Sequence, residues 1–248
     1  MADDSEAFKL QVRKNVEYLA GTAALKERST DWIRETAAGN YSYNFTWLGR
    51  PIIQFPQDIV ALQEIIWLVR PAFIVETGVA RGGSLILYAS ILRLLGQSGR
   101  VIGIDIDIRA HNRAAIEAHP LSQDITLIEG SSIDPDIVAR VRNELSGSPS
   151  VLVILDSNHT HDHVIAELRA YSQFVRKDGY LIVLDTAIAD MPAGLFPDRP
   201  WGPGNNPKTA VHQFLAEQGR FVIDETYDAK LLITAAPNGY LRCIRDPS

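Results

Sequence analysis

Four carboxylates stand where short apolar runs of the sequence stop. Glu76 follows Phe73-Ile74-Val75, Asp105 follows 100–104, Asp156 follows 151–155 and Asp185 follows 180–184. Runs of this kind read as strands of a parallel sheet covered on both faces, whose ligands bind beyond the carboxyl ends of the strands. Glu76 opens the pattern E-x-G-x-x-x-G-G-S, in which Gly78, Gly82, Gly83 and Ser84 lead into an apolar-periodic segment (Leu85, Leu87, Tyr88, Ile91, Leu92, Leu95). That is a strand, a tight glycine turn and a helix. Glycines let a backbone approach a ligand with no Cβ in the way. The spacing is not the dinucleotide G-x-G-x-x-G, and an acid leading the turn repels a phosphate while suiting a cation. S-adenosylmethionine carries both a sulfonium and an ammonium. An ordinary glycine turn is the alternative that this stretch alone leaves open.

Asp156 and Asp185 end what should be neighbouring strands, so their carboxylates lie close and repel unless one holds a proton. A hard divalent cation resolves that conflict. Magnesium binds through one or two carboxylates and keeps its other positions for water and substrate oxygen. For methyl transfer to oxygen it would lower the hydroxyl's pKa and fix its direction toward the sulfonium methyl. The competing reading makes both aspartates caps of the segments that follow. Asp105 is placed to accept hydrogen bonds from ribose hydroxyls, a role that suits an adenosyl or a nicotinamide cofactor and for which Asp107 is a rival. In "DSNHTHDHV", His159 and His163 are four apart, the spacing of helix-borne metal ligands. A single thiol and no second histidine pair speak against zinc. His159 is read instead as a general base or a neighbour of the metal, His163 and Glu167 as helix packing and capping, and His161 and Asp162 as solvated.

These residues need a scaffold. At 248 residues, 46% hydrophobic and 22% charged, the chain is sized for one large α/β domain with appendages and a buried core. A net charge of −6 and a pI near 5.5 give no electrostatic case for nucleic acid as a partner. No apolar run approaches the roughly 18–20 residues that span a bilayer, so no membrane partner is expected. The acidic start "MADDSEAFKL" lacks a signal peptide's basic region and apolar core, which points to the cytoplasm. Cys243 has no second cysteine to pair with and reads as a packing residue. Helical spacing predicts an amphipathic helix over 5–28 (Phe8, Val12, Val16, Leu19), a second over 31–38 and a third over 56–70. An aromatic loop with Tyr41, Tyr43, Phe45, Trp47 and Phe55 lies between the last two, as packing beneath the sheet, a lid or a subunit contact. From residue 71 five strands (73–75, 100–104, 125–129, 151–155, 180–184) alternate with helices, which means a parallel sheet with right-handed crossovers. The Pro- and Gly-rich stretch 186–206 breaks that rhythm as a long loop, expected to be a mobile lid. A helix over 208–218, a strand over 221–224 and a hairpin turning at Pro237-Asn238-Gly239 close the chain. The expected division is an N-terminal helical and aromatic extension (1–70) and a cofactor-binding domain (71–248).

With the glycine turn, "DSNHTHDHVIAELRAY" and "GYLIVLDT", the chain resembles the cephalosporin hydroxylase family, which also takes in rhamnosyl and other sugar O-methyltransferases. The likeness runs from about residue 45 to 235 and is most specific over 151–187. It implies a Rossmann-like class I methyltransferase fold: a mostly parallel seven-stranded sheet ending in an antiparallel hairpin. It further implies S-adenosylmethionine as cofactor, often Mg2+, a hydroxylated sugar or natural-product acceptor, and a homo-oligomer. Residue by residue, it assigns Glu76 and Gly78, with Gly82 and Ser84 in the same turn, to the methionine side of the cofactor. Asp105 falls on the ribose and Ser131 near adenine. Asp156 and Asp185 match metal ligands, with Asp156 also close to the cofactor, and catalysis is expected of Asp156 and His159. Two departures stand out. Leu184 replaces the first acid of the pair that usually ends the fifth strand, and Asn158 stands where some relatives carry an Asp that acts as base. They weaken the case for a metal and strengthen His159 as base. Two other readings stay open: N-methylation of a small amine, and a non-catalytic cofactor-binding partner subunit. A nicotinamide oxidoreductase is disfavoured by the glycine spacing and the terminal hairpin.

Overall fold

The computed structural model describes residues 4–96, 98–148 and 150–247. The first three residues of the acidic N-terminus lie outside them. Two helices come first, α1 (Asp4–Gly21) and α2 (Ala23–Ala37), where the spacing predicts one helix over 5–28. The chain breaks at Thr22, whose backbone leaves the helical region and whose hydroxyl donates to the Tyr18 carbonyl at 2.6 Å. No residue of either helix is buried, so Phe8 and Val12 face solvent and the expected apolar stripe does not enter the core.

A short antiparallel ribbon, β1 (Phe45–Trp47) and β2 (Arg50–Ile52), precedes α3 (Pro56–Val69). Trp32, Tyr41, Phe45 and Phe55 form an aromatic cluster beside it, with Trp32 and Tyr41 edge-on at 4.8 Å. Tyr41, Phe45, Trp47 and Phe55 of the aromatic loop are therefore packing, whereas Tyr43 is exposed. Pro56 occupies the first turn of α3, where its missing N–H costs nothing, and Arg70 ends that helix in a left-handed conformation.

Beyond it the chain alternates β3 (Phe73–Thr77), α4 (Gly83–Leu94), β4 (Arg100–Asp105), α5 (Ala110–Glu117), β5 (Ile125–Glu129), α6 (Pro135–Leu145), β6 (Val151–Leu155), α7 (His161–Tyr171) and β7 (Tyr180–Val183). It ends with α8 (Pro207–Glu217), β8 (Phe221–Ile223), α9 (Glu225–Leu231) and β9 (Tyr240–Cys243). The seven strands are ordered β5-β4-β3-β6-β7-β9-β8, parallel except for β9, which runs antiparallel to both its neighbours. This is a mostly parallel seven-stranded α/β sheet with a C-terminal antiparallel pair, the architecture that the resemblance implies. The pair is joined by α9, which the sequence reading did not foresee, and the Pro237-Asn238-Gly239 turn instead delivers the chain into β9. Gly239 is required there, since a Cβ would sit 2.1 Å from the Val183 carbonyl oxygen. Continuous apolar strands fill both faces of the sheet and build two cores, one with Leu62, Ile74, Leu85 and Tyr240, the other with Val75, Val153, Leu168 and Phe214. Val75 pairs with Ile102 on one side and Val153 on the other, which brings the carboxyl ends of β3, β4 and β6 to one level. No helix among the described residues is long and apolar enough to cross a membrane.

Candidate active site

The order of the sheet puts the ends of β3 and β6 side by side at its middle. Gly78, at φ +94°, lets them touch: a Cβ there would lie 2.0 Å from the Asp156 carbonyl oxygen. The glycine thus admits protein backbone, a closer constraint than the ligand approach expected of it. Gly82, at φ +80°, caps α4, and Gly83 packs on β2, where a Cβ would stand 2.2 Å from the Pro51 carbonyl oxygen. Asp105 fastens the turn. Its Oδ2 accepts from the backbone N–H of Val79 at 2.9 Å and of Ala80 at 3.2 Å, and its Oδ1 from that of Asp107 at 3.2 Å. The rival Asp107 is exposed.

Glu76 is buried beneath the turn, where Ser84 Oγ (2.6 Å) and Tyr88 OH (2.8 Å) donate to its two oxygens. Ser84, expected to face the ligand, therefore serves Glu76. Burial above all, with repulsion from Asp105, pushes the Glu76 carboxyl up to about 8 against the two hydrogen bonds. No cation offsets this burial among those causes. A carboxyl in that state is poised to receive one.

Asp156, half-buried at the end of β6, is shifted in the same direction. Desolvation first, then the charges of Asp185, Glu76, Glu167 and Asp58, raise its pKa well above the ordinary carboxylate value. Asp185 follows β7 with its backbone in the left-handed region, φ 55°, and its Oδ2 lies 3.1 Å from His159 Nε2. Ligand atoms of Asp156, His159 and Asp185 all fall within 4.8 Å of one another. Two carboxylates and an imidazole at that separation fit a divalent ion, which would also relieve the crowding of negative charge. The two departures noted in the sequence contribute nothing to this group. Leu184 is buried in the core, and the Asn158 carboxamide oxygen accepts from Thr160 N and Oγ1 at the start of α7.

Several residues here were not foreseen. Trp201, from the long loop, sets its ring edge-on to His159 with centroids 4.7 Å apart, and the Arg199 guanidinium lies over the same indole at 5.2 Å. A lone Trp within a Pro- and Gly-rich stretch was the signal. His161, read as solvated, instead ties α7 to α8: its two ring nitrogens pair with Thr209 Oγ1 and Gln213 Oε1, each at 2.8 Å. Ser131 is half-buried at the end of β5, while its neighbour Ser132 enters a buried cluster. There Ser132 Oγ (2.5 Å) and Ser157 Oγ (2.7 Å) donate to Glu167 Oε1, and His163 Nε2 lies 3.1 Å from both hydroxyls. That contact binds the loop after β5 to the loop carrying Asp156. The loop 186–206 is partly tied down. Asp190 pairs with Lys208 at 2.5 Å, and its carbonyl accepts from Arg34 at 2.8 Å.

Residues 39–244 match the family model described as Rhamnosyl O-methyltransferase/CmcI. The Rhamnosyl O-methyltransferase of Mycobacterium tuberculosis is 31% identical over 231 residues, spanning 88% of each chain. Among solved structures, CmcI with Mg and SAM aligns with a TM-score of 0.57 at 21% identity, over 82% of this chain and 77% of that one. The O-methyltransferase TomG from Streptomyces achromogenes, in complex with SAM, aligns with a TM-score of 0.55 at 16% identity, over 90% of this chain and 91% of that one. At such identities these two speak for the fold.

Proposed function

The chain belongs to the Rhamnosyl O-methyltransferase/CmcI family, and from that premise we propose methyl transfer from S-adenosylmethionine to a hydroxyl of a sugar or natural product. The observation that carries the reading is the convergence of Asp156, His159 and Asp185 beside a glycine turn floored by the buried Glu76 carboxyl.

The turn from Gly78 to Ser84, with Glu76 beneath it, binds the donor by its cationic end. Asp105 keeps the turn in shape, and Ser131 borders the adenine side. His159 donates its Nε2–H to Asp185, which fixes the tautomer and leaves Nδ1 to take the acceptor's proton, the division of labour of a His–Asp pair in hydrolases. Asp185 then stabilises the imidazolium. The acceptor oxygen bonds to the methyl carbon as the carbon–sulfur bond breaks, and the sulfonium leaves as a neutral thioether. Asp156 and Asp185 would hold magnesium, whose chemistry is to lower the hydroxyl's pKa and orient it. With only two carboxylates to hold it, that ion would bind weakly. Trp201 covers His159 and excludes water from the proton transfer.

An amine acceptor is the second reading, favoured by the same missing acids, since an amine needs less help from metal or base. We place the enzyme in the cytoplasm, as a homo-oligomer, with residues 71–248 as the transfer domain. The exposed Phe8 and Tyr18 of α1 support contact with a second copy. Incubation with methyl-labelled S-adenosylmethionine and panels of sugars, phenols and amines, with and without EDTA, tests the proposal. Label must appear on a hydroxyl; label confined to amines selects the second reading, and no transfer contradicts both.

A further inference from the structure

One buried polar side chain at the glycine turn is incompletely partnered. Gln54, in the link between β2 and α3, is 5% exposed; its Oε1 has no hydrogen-bond partner, and its amide meets the Tyr88 hydroxyl only in a contact short of good hydrogen-bond geometry. Burying an amide in that state costs free energy, so a fold keeps one where something else completes it. The surroundings say where that partner stands. Gln54 lines a cavity of about 40 Å³ together with Ile52, Gly78, Arg81, Gly82, Ser84 and the Asp156 end of β6. The volume suits the tip of a ligand, not a whole nucleoside. The amide lies beside the Tyr88 hydroxyl, whose pKa burial and the Glu76 charge raise and the contact with Gln54 lowers, so its Nε2 is turned to Tyr88 and its Oε1 is the atom left open. Tyr88 donates to Glu76, as does Ser84, so Gln54 faces the same buried group as the acid does.

We infer that Gln54 is a binding residue for the amino-acid end of the methyl donor, supplied by the N-terminal segment rather than by the sheet. The inference rests on the proposed donor. A ligand tip with an ammonium and a carboxylate needs an acceptor and a donor at short range, and a carboxamide offers both on one planar group. Glu76 and Asp156 meet the ammonium when ionised and would then repel the carboxylate. The Gln54 amide can meet that carboxylate without repelling it. Its position is fixed by the seating of β2 on α4, where Gly83 allows the Pro51 carbonyl to within touching distance. The segment 51–54 is thereby one wall of the donor site.

The test uses the whole protein, S-adenosylhomocysteine, and 5′-methylthioadenosine, which has the same nucleoside and thioether but no amino acid. Affinities by calorimetry are compared for the wild type, Gln54→Met, which keeps length and volume, and Gln54→Ala. Both variants should bind S-adenosylhomocysteine about 10- to 100-fold more weakly, the loss of a hydrogen bond to a charged group, and methylthioadenosine as the wild type does. Without ligand, Gln54→Met should melt close to the wild type, because it removes a poorly paired buried amide and leaves no cavity. Equal weakening for both ligands, or a lower melting temperature of ligand-free Gln54→Met, would make Gln54 a structural residue and overturn the inference. Unchanged affinity for S-adenosylhomocysteine in both variants would overturn it while leaving the methyltransferase reading intact. A wild type that binds neither ligand would instead remove the donor reading, and Gln54 with it.

Discussion

At the scale of single residues, Glu76 is the one whose ionisation responds to what the site holds. Its carboxyl, raised to about 8 by burial, is mostly protonated in the ligand-free protein at neutral pH. An ammonium favours the ionised form, so donor binding expels a proton and its affinity should rise as pH goes from 6 to 8, by up to about tenfold per unit. Calorimetry in buffers of different ionisation heat measures that proton directly. Glu76→Gln should abolish the dependence and weaken binding. Stability runs the opposite way: the folded value lies above the ordinary 4.5, so Glu76's contribution is complete below about 4.5 and is lost as pH rises through about 8. The ligand-free protein should therefore gain more from S-adenosylhomocysteine at pH 8 than at pH 6 in a thermal melt. Leu184 carries a contrary lesson. Read as a vacancy in the metal site, it is 3% exposed in the core, so Leu184→Glu should cost about 3–5 kcal/mol of stability as an uncompensated buried charge, instead of tightening magnesium. Denaturant unfolding decides it.

At the scale of elements, the turn after β3 is held by contacts within the protein before any ligand arrives. Gly78→Val meets the Asp156 carbonyl and a positive φ together, so it should destabilise the fold by well over about 1 kcal/mol as well as blocking the donor. A variant that loses binding at unchanged melting temperature would restore the simpler view that Gly78 only makes room for ligand. The loop 186–206 behaves as two parts. Its ends are pinned, by Asp190 to Lys208 and by the Asn206 capping box on α8, whereas 192–200 has few such ties. Hydrogen exchange should be fast over 192–200 alone and slow there when donor and acceptor are both present. Uniform slow exchange in the ligand-free protein would mean that Trp201 is fixed packing over His159.

At the scale of the whole molecule, the strands were legible almost to the residue. A strand buried on both faces has to be an unbroken apolar run, and its acid falls at or beside the end, although β3 runs one residue past Glu76. The place of the candidate site followed from them, because a parallel sheet carries all those ends to one edge. What stayed hidden depended on contacts between distant segments. Nothing local in Gln54 or Trp201 says that one meets the glycine turn and the other His159, and the apolar face of α1 gives no sign that it stays exposed. His161 looked solvated until α8 was placed against α7. Asp105 was read for its ligand and shows first a clamp on backbone. The central claim concerns Asp156 and Asp185. Turnover of methyl-labelled S-adenosylmethionine with an accepted hydroxyl substrate, measured for the wild type, Asp156→Asn, Asp185→Asn and Asp190→Asn, tests it most directly. The account predicts losses of about 100-fold or more for the first two variants, with S-adenosylhomocysteine still raising their melting temperatures, and little change for Asp190→Asn. Wild-type turnover in both Asp156→Asn and Asp185→Asn would contradict it and leave the paired carboxylates as caps at the strand ends.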